Sequence, residues 1–291
     1  KNILYSKNDL FNLPYSIELS NIKDQKKLSS KIEIESLDLQ IENQISYGEK
    51  FNTGLLEFDF LNLKSVVEYK ANKNYFEFRL FNKAQKSKFS YNGKLNFRPF
   101  HSNLEGSATE IDFDHLFSTN GIIKQLLKTE ILNNKNIEFE SSINANKFSN
   151  NLNFTNIFLN FRIQEGLIDI DNSRLSWKSF ADFKFSDSLI FVKNGELVLD
   201  GKLKIDINNY NEIYKYLLTP KKYRNEFKKI ELGFSYNFDK KTTNINDIKI
   251  DGKFNKGVNE VMGSIILKDN NLQNKIYLKN LLNDAIKSYV G

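Results

Sequence analysis

The chain has no cysteine, three prolines, one methionine, one tryptophan and two histidines in 291 residues. Without thiols it can form no disulfide framework, thiolate nucleophile or cysteine-based metal site, and its redox compartment stays open. The scarcity of proline removes a residue that interrupts β-ladders. The histidines, His101 beside a Pro-Phe turn and His115 at the start of a helical pattern, do not converge with carboxylates at metal-ligand or triad spacing. No stretch approaches the roughly eighteen apolar residues that a spanning helix needs. The chain opens at Lys1 with no signal-type apolar segment, so we read it as a fragment or processed form.

What is abundant points one way. There are 25 Phe and 13 Tyr; apolar residues make up 40% and charged residues 27% of the chain, which is enough to build a sizeable core and argues against disorder. Aromatic, proline-poor composition favours strands. The net charge of +6 comes almost entirely from lysines dispersed one at a time along polar faces. Nucleic-acid binders gather such charge into a stripe, so no nucleic-acid partner is expected, and attraction to anionic membrane surfaces fits better.

The most informative stretch is Lys193 to Ile207. Asn194-Gly195 is a two-residue hairpin signal, since both central positions of a type I′ turn need positive φ. Leu197 and Leu199 begin an alternation that resumes after Asp200-Gly201 as Leu203, Ile205 and Ile207. Asp200-Gly201 reads as a bulge in one long strand or as a second tight turn. Period-two runs recur elsewhere: Lys31 to Glu42 with a register shift taken as a bulge at Glu35-Ser36, Leu55 to Tyr69, Phe76 to Leu80, and Phe89 to Phe97. In the second half they continue as Ile137 to Ile143, Leu152 and Phe154, then Ile157, Leu159, Phe161 and Ile163. Phe183 and Phe185 precede the hairpin. Ile230, Leu232, Phe234, Tyr236 and Phe238 alternate strictly. Further strands are expected at Ile245 to Ile250, Val261 to Leu267 and Lys275 to Leu278. Helical spacing is confined to about Asn120 to Leu132, Tyr210 to Leu218, and Leu281 to Tyr289, with Lys221 to Phe227 a short helix or a loop. A recurring Gly-Lys-Leu/Phe at Gly93, Gly201 and Gly252 hints at an internal duplication.

The expected fold is all-β with two or three short helices: an elongated, curved antiparallel sheet forming a groove or an incomplete sandwich. It is one continuous region over 1–291, with possible halves at 1–133 and 134–291. About fourteen strands cannot be covered by so few helices, because a helix spans only about two strands. The apolar face must close on itself as a sandwich or line a trough for an apolar ligand, and the pattern alone does not choose.

Several segments resemble the C-terminal region of the AsmA family of bacterial envelope proteins, which includes the TamB-like and YhdP-like proteins. They are EGLIDIDNSRLSWKS (Glu165 to Ser179), NGELVLDGKLKIDI (Asn194 to Ile207), YKYLLTPKKYR (Tyr214 to Arg224) and KKIELGFSYNFD (Lys228 to Asp239). YNGKLNFRPF (Tyr91 to Phe100), FSTNGIIKQLLKTEIL (Phe117 to Leu132) and the terminal LLNDAIKSYVG (Leu281 to Gly291) are similar in the same way. The resemblance implies a periplasmic body whose N-terminal inner-membrane anchor is missing here. It also implies an apolar groove conducting phospholipid towards the outer membrane, in outer-membrane biogenesis. About fourteen strands would span about 65 Å, a segment of a bridge between membranes.

On that basis the expected lipid-lining residues are Ile157, Leu159, Phe161, Ile163, Phe183, Phe185, Leu197, Leu199, Leu203, Ile205, Ile207, Ile230, Leu232, Phe234, Tyr236 and Phe238. The expected partners are phospholipid or another acyl-chain ligand, with envelope proteins as further partners. No cofactor, metal or catalytic residue is expected. The alternative is a closed scaffolding module without ligand, and a third possibility is a glycan-active enzyme. Asp169 and Asp171 share a strand face and could hold Ca²⁺ or act as an acid/base pair, but alternating with Ile168 and Ile170 they read as a solvated face. Trp177 reads as a packing residue. The helical segments Ile122 to Ile131 and Leu281 to Tyr289 could plug the groove or lie on a membrane, with core cover as the simpler role.

Overall fold

The computed structural model describes residues 2–10, 13–22, 26–60, 63–83, 89–111, 127, 132, 137–149, 151–269 and 274–290. Its centre is one 19-stranded sheet. β1 (Asn2–Leu10), β2 (Leu13–Ile22), β3 (Lys27–Ile34), β4 (Leu39–Ser46) and β5 (Asn52–Phe60) begin an antiparallel meander. It continues through β6 (Leu63–Ala71), β7 (Tyr75–Asn82), β8 (Phe89–Phe97) and β9 (Phe100–Ile111). β10 (Ile137–Phe148) then joins β9 in parallel, and β11 (Asn151–Gln164) returns antiparallel. Parallel pairing requires a long crossover. Here it falls in residues 112–136, of which only Leu127 and Leu132 are described, so the helix expected near Asn120 to Leu132 lies outside the described residues.

β12 (Leu167–Asp169) and β13 (Arg174–Trp177) share one strand position between β11 and β14 (Ala181–Lys193). β15 (Glu196–Ile207), β16 (Lys229–Asn237) and β17 (Thr242–Ile250) follow antiparallel. The short β18 (Lys253–Phe254) and β19 (Leu267–Lys268) pair with opposite ends of β17. Nineteen strands thus fill seventeen lateral positions, which at about 4.8 Å each extend the sheet to about 80 Å along its curve. The two sequence halves share the β9–β10 ladder and are hydrogen-bonded into the same sheet.

Three helices gather at one end: α1 (Tyr210–Leu217), α2 (Lys256–Gly263) and α3 (Lys275–Val290). Each begins at an asparagine whose side chain accepts backbone N–H groups: Asn209 from Glu212, Asn255 from Val258, and Asn274 from Ile276 and Tyr277. Such caps satisfy donors that a first helical turn leaves orphaned. α1 buries Ile213, Tyr214 and Leu217, then stops where Leu218 turns left-handed two residues before Pro220. Lys221–Tyr223 forms one 3-10 turn.

Several expectations are corrected. Glu35-Ser36 is not a bulge; it belongs to a 3-10 turn, closed by left-handed Asp38, that separates β3 from β4. Val261 lies in α2 and Lys275 to Leu278 opens α3, because the Asn255 and Asn274 caps begin helices whose apolar residues mimic short strands. β1 and β2 lie before the first strand read from the sequence, and β9 hides its alternation because its inward positions include Ser102, Gly106 and Ala108. Gly93 and Gly201 sit inside strands while Gly252 sits in a turn at φ 78°, so the repeated tripeptide has no common structural role.

The hairpin at Asn194-Gly195 forms with φ 52° and 78° at its centre. Asp200-Gly201 stays within β15 as plain strand, and the bulge is on the opposite strand, where Asp187 and Ser188 face the single residue Gly201. Asp187 takes φ 50°, and the Ser188 N–H is donated to the Asp171 carboxylate at 2.8 Å. A Cβ on Gly201 would lie 2.1 Å from Ser188 Oγ and 2.8 Å from Ser188 Cα. Gly201→Ala is therefore expected to cost about 1–3 kcal/mol through overpacking, read as a lower urea midpoint. Adding Ser188→Gly should restore part of the loss, and an unchanged midpoint in Gly201→Ala would contradict this account of the bulge.

Candidate functional site

Residues paired across neighbouring strands point to the same side of a sheet, so the registers trace its faces. One lateral row runs Leu56, Val67, Leu80, Tyr91, Gly106, Ile143, Leu159 from β5 to β11. Another runs Phe139, Ile163, Ile168, Ile190, Leu199, Tyr236 from β10 to β16. The parallel β9–β10 ladder preserves this phase, and one apolar face continues from β2 to β17.

All sixteen residues expected from the sequence lie on this face. Ile157, Leu159, Phe161 and Ile163 come from β11, Phe183 and Phe185 from β14, and Leu197, Leu199, Leu203, Ile205 and Ile207 from β15. Ile230, Leu232, Phe234 and Tyr236 come from β16, and Phe238 packs beside Leu197 just beyond it. Ile157, Leu159 and Leu197 are buried, and the others are half-buried. The sequence reading missed the other half of the face, although the same alternation marks it: Ile17, Ile32, Ile41, Leu56, Phe58, Tyr69, Phe76, Phe78, Leu80 and Leu95 are all half-buried there.

Cover is uneven along the face. Three buried clusters, centred on Ile157, on Leu197 and on Tyr214, all lie between β9 and the C-terminal helices. Leu127 packs in one cluster with Ile168, Ile190 and Leu197, with Leu132 against it, over the middle of the face. The half-exposed apolar side chains of β2 to β5 belong to none of these clusters. A closed sandwich would bury them, whereas a trough leaves them so.

Glycines shape the floor of this trough. A Cβ at Gly54 would fall 2.2 Å from the Tyr69 ring, and one at Gly106 would fall 1.9 Å from the Tyr91 ring. Each ring therefore lies flat across the neighbouring strand where only glycine leaves room. Tyr69 donates its hydroxyl to Asn43 at 2.8 Å. Burial raises the Tyr69 phenol, partly offset by that bond, and pushes the Tyr91 phenol up to about 12.

The long edges of the trough differ. Alternate hairpin turns of a meander fall on the same edge, and four successive turns there carry exposed Lys26, Lys50, Lys73 and Arg98, with exposed Glu49 beside Lys50. They recur every second strand, about 10 Å apart. Exposed aromatics stand beside them: Tyr47, Phe51 and Phe97 are 38–48% exposed, and Lys70 lies 3.9 Å over the Phe51 ring. On the other edge the described turn residues include Glu35 and Asp38, while Lys83 is paired with Glu57; residues 84–88 lie outside the described set.

The opposite face of β6 to β9 holds a shallow polar depression of about 940 Å³. Its charges neutralise one another in register, with Glu77 between Lys70 and Lys94 and Glu68 beside Arg79. His101 stands 3.9 Å from Glu138 there, and His115 lies outside the described residues. No group of three or more metal-ligating side chains occurs among the described residues. The Asp169 carboxylate accepts the Asp171 N–H at 2.7 Å, and Asp171 accepts from Ser188, so both are structural acceptors that pin the interruption between β12 and β13. Trp177 packs edge-on against Phe180 and Tyr216 at 5.1 and 5.3 Å.

At the C-terminal end α1, α2 and α3 cover the face, leaving a chamber of about 260 Å³ lined by eighteen residues without a charge. Within this end Tyr214 is fully buried and donates its hydroxyl to the Asn225 carbonyl at 2.6 Å. Burial pushes its phenol up to about 12 against that hydrogen bond.

No protein-family model, curated protein or solved structure matches this chain.

The buried phenols set an alkaline limit. Tyr91 and Tyr214 titrate at about 12 in the fold against 10.0 ordinarily, so their contribution to stability is intact below pH 10 and is lost as pH rises through about 12. Ultraviolet titration should show late-ionising tyrosines coupled to unfolding, and Tyr91→Phe should remove one of them. Simultaneous ionisation of all tyrosines near pH 10 in a folded protein would contradict this.

Proposed function

We propose that this protein binds or conducts phospholipid, with the acyl chains lying against the apolar face of the sheet. The observation that carries the reading is the continuity of that face from β2 to β17 together with its uncovered stretch over β2 to β5. An acyl chain gains about 0.8 kcal/mol for each methylene it buries. Apolar side chains dominate the face, and the polar ones on it, such as Asn43 and Ser30, are small and uncharged, so an acyl chain can slide along the strands' lateral direction.

The edge bearing Lys26, Lys50, Lys73 and Arg98 supplies cations at a regular spacing for the phosphate groups, with Tyr47, Phe51 and Phe97 at the apolar–aqueous boundary. This arrangement agrees with the AsmA-like resemblance of the sequence. On that reading the protein works in the periplasm as part of an inner-membrane-anchored chain, contributes to outer-membrane biogenesis, and acts by binding, not by catalysis.

Phe78 and Arg79 are adjacent in β7 and point to opposite faces. A photoreactive phenylalanine at Phe78 or Phe58 should crosslink to co-purified or added radiolabelled phospholipid. The same group at Arg79 or Glu57 should crosslink at least tenfold less. Equal labelling of both faces, or none on the apolar one, would overturn the reading in favour of a ligand-free scaffolding module.

A further inference from the structure

The chamber beneath the helices has features the open trough does not share. It is bounded on one side by sheet residues such as Phe183 and Leu232 and on the other by Val258, Met262 and Ala285 of α2 and α3. A cavity of about 150 Å³ lined by aliphatic and aromatic groups stays dry and takes up benzene-sized molecules. At about 260 Å³ this one has room for roughly eight methylenes, taking each as about 30 Å³, the volume of a water molecule.

Trp177 lines the chamber, and what surrounds it is charged. Its ring meets Phe180 and Tyr216, and over these aromatics stand two ammonium groups. Lys279 Nζ is 4.5 Å from the Tyr216 ring centre, and Lys178 Nζ is 5.9 Å from the same ring and 5.6 Å from that of Phe180. No carboxylate among the described residues pairs with either lysine, whereas the neighbouring Lys215 and Lys287 are neutralised by Glu212 and Asp284. Two unneutralised cations beside an apolar chamber match a molecule with an anionic head and a single unbranched tail.

We infer that this end of the protein is a separate binding site for an anionic amphiphile, with a tail segment of about eight carbons in the chamber and the head between Lys178 and Lys279. The inference rests on the acyl-chain reading of the sheet but concerns a distinct, helix-covered site. The head is the carboxylate of a free fatty acid or the phosphate of a lipid one of whose acyl chains enters the chamber.

The chain's single tryptophan makes the site directly observable. Bromine quenches indole fluorescence at contact, so 2-bromodecanoic acid, whose bromine lies next to the head, should quench Trp177 saturably. The double substitution Lys178→Glu/Lys279→Glu should weaken its apparent affinity at least tenfold while leaving 2-bromodecan-1-ol unchanged, and Ala285→Phe, which fills the chamber, should abolish quenching by both. A dioctanoyl phosphatidylglycerol brominated at carbon 2 of its chains forms the second arm. Saturation by the acid at the lower concentration assigns a free fatty acid, and saturation by the lipid at the lower concentration assigns a lipid acyl chain. Absence of saturable quenching by either ligand overturns the site, as does quenching by the acid that the lysine substitutions leave unchanged. If quenching fails while the Phe78 crosslink forms, the chamber inference falls alone. If the crosslink fails while quenching persists, the trough reading falls and the chamber remains.

Discussion

In-phase pairing between neighbouring strands is the constraint on which the rest of this molecule depends. Side chains alternate with a period of two, so a slip of one residue at any ladder would send every later apolar side chain to the solvated face. The parallel β9–β10 pairing is the most exposed to such an error, because no short turn fixes its register. It holds eleven residue pairs in phase. Ser102 Oγ, fully buried, accepts the Glu140 N–H across that ladder at 2.9 Å, a side-chain clasp between the two strands. Through it the faces of the two sequence halves become one.

The sheet adjusts its curvature without losing that phase. Where a strand needs an extra residue, a left-handed residue absorbs it: Asn156 in β11, Asp187 in β14 and Asp247 in β17 all have φ near 50° at register shifts. Asn and Asp tolerate that conformation better than most side chains. Ser188 lies over Gly201, and the side chain of Asn246 would meet a Cβ on Gly233 at 2.1 Å, so glycines receive the displaced side chains. Bulges and glycines are thus two halves of one device, which bends the sheet and keeps its apolar set on one side.

Much of this was legible in the sequence, and the failures have physical causes. Strict alternation in Ile230 to Tyr236 and the Asn194-Gly195 turn placed β14 to β16 and their inward faces correctly. Asp200-Gly201 reads from the sequence as a bulge or a tight turn, but it is plain strand and the extra residue is on the partner strand; a single strand's sequence cannot say which of two paired strands carries it. Lys275 to Leu278 alternates like a strand and is helical, because the Asn274 cap and burial of Leu281 and Ala285 outweigh local pattern. The choice between a sandwich and a trough was not legible at all, since an inward Phe or Ile is required by either. It emerges only from the distribution of cover, with buried clusters beside α1 to α3 and half-exposed apolar rows over β2 to β5.

On the proposed reading lipid occupies this apolar face, and on the alternative other protein covers it. Native mass spectrometry of the purified chain, with lipid extraction and chemical identification from the same sample, separates these cases most directly. The account predicts protein peaks carrying one or more phospholipid masses that are released intact by organic solvent. A stably folded protein that carries no lipid after purification from membranes, and takes none up from phospholipid vesicles, would contradict it.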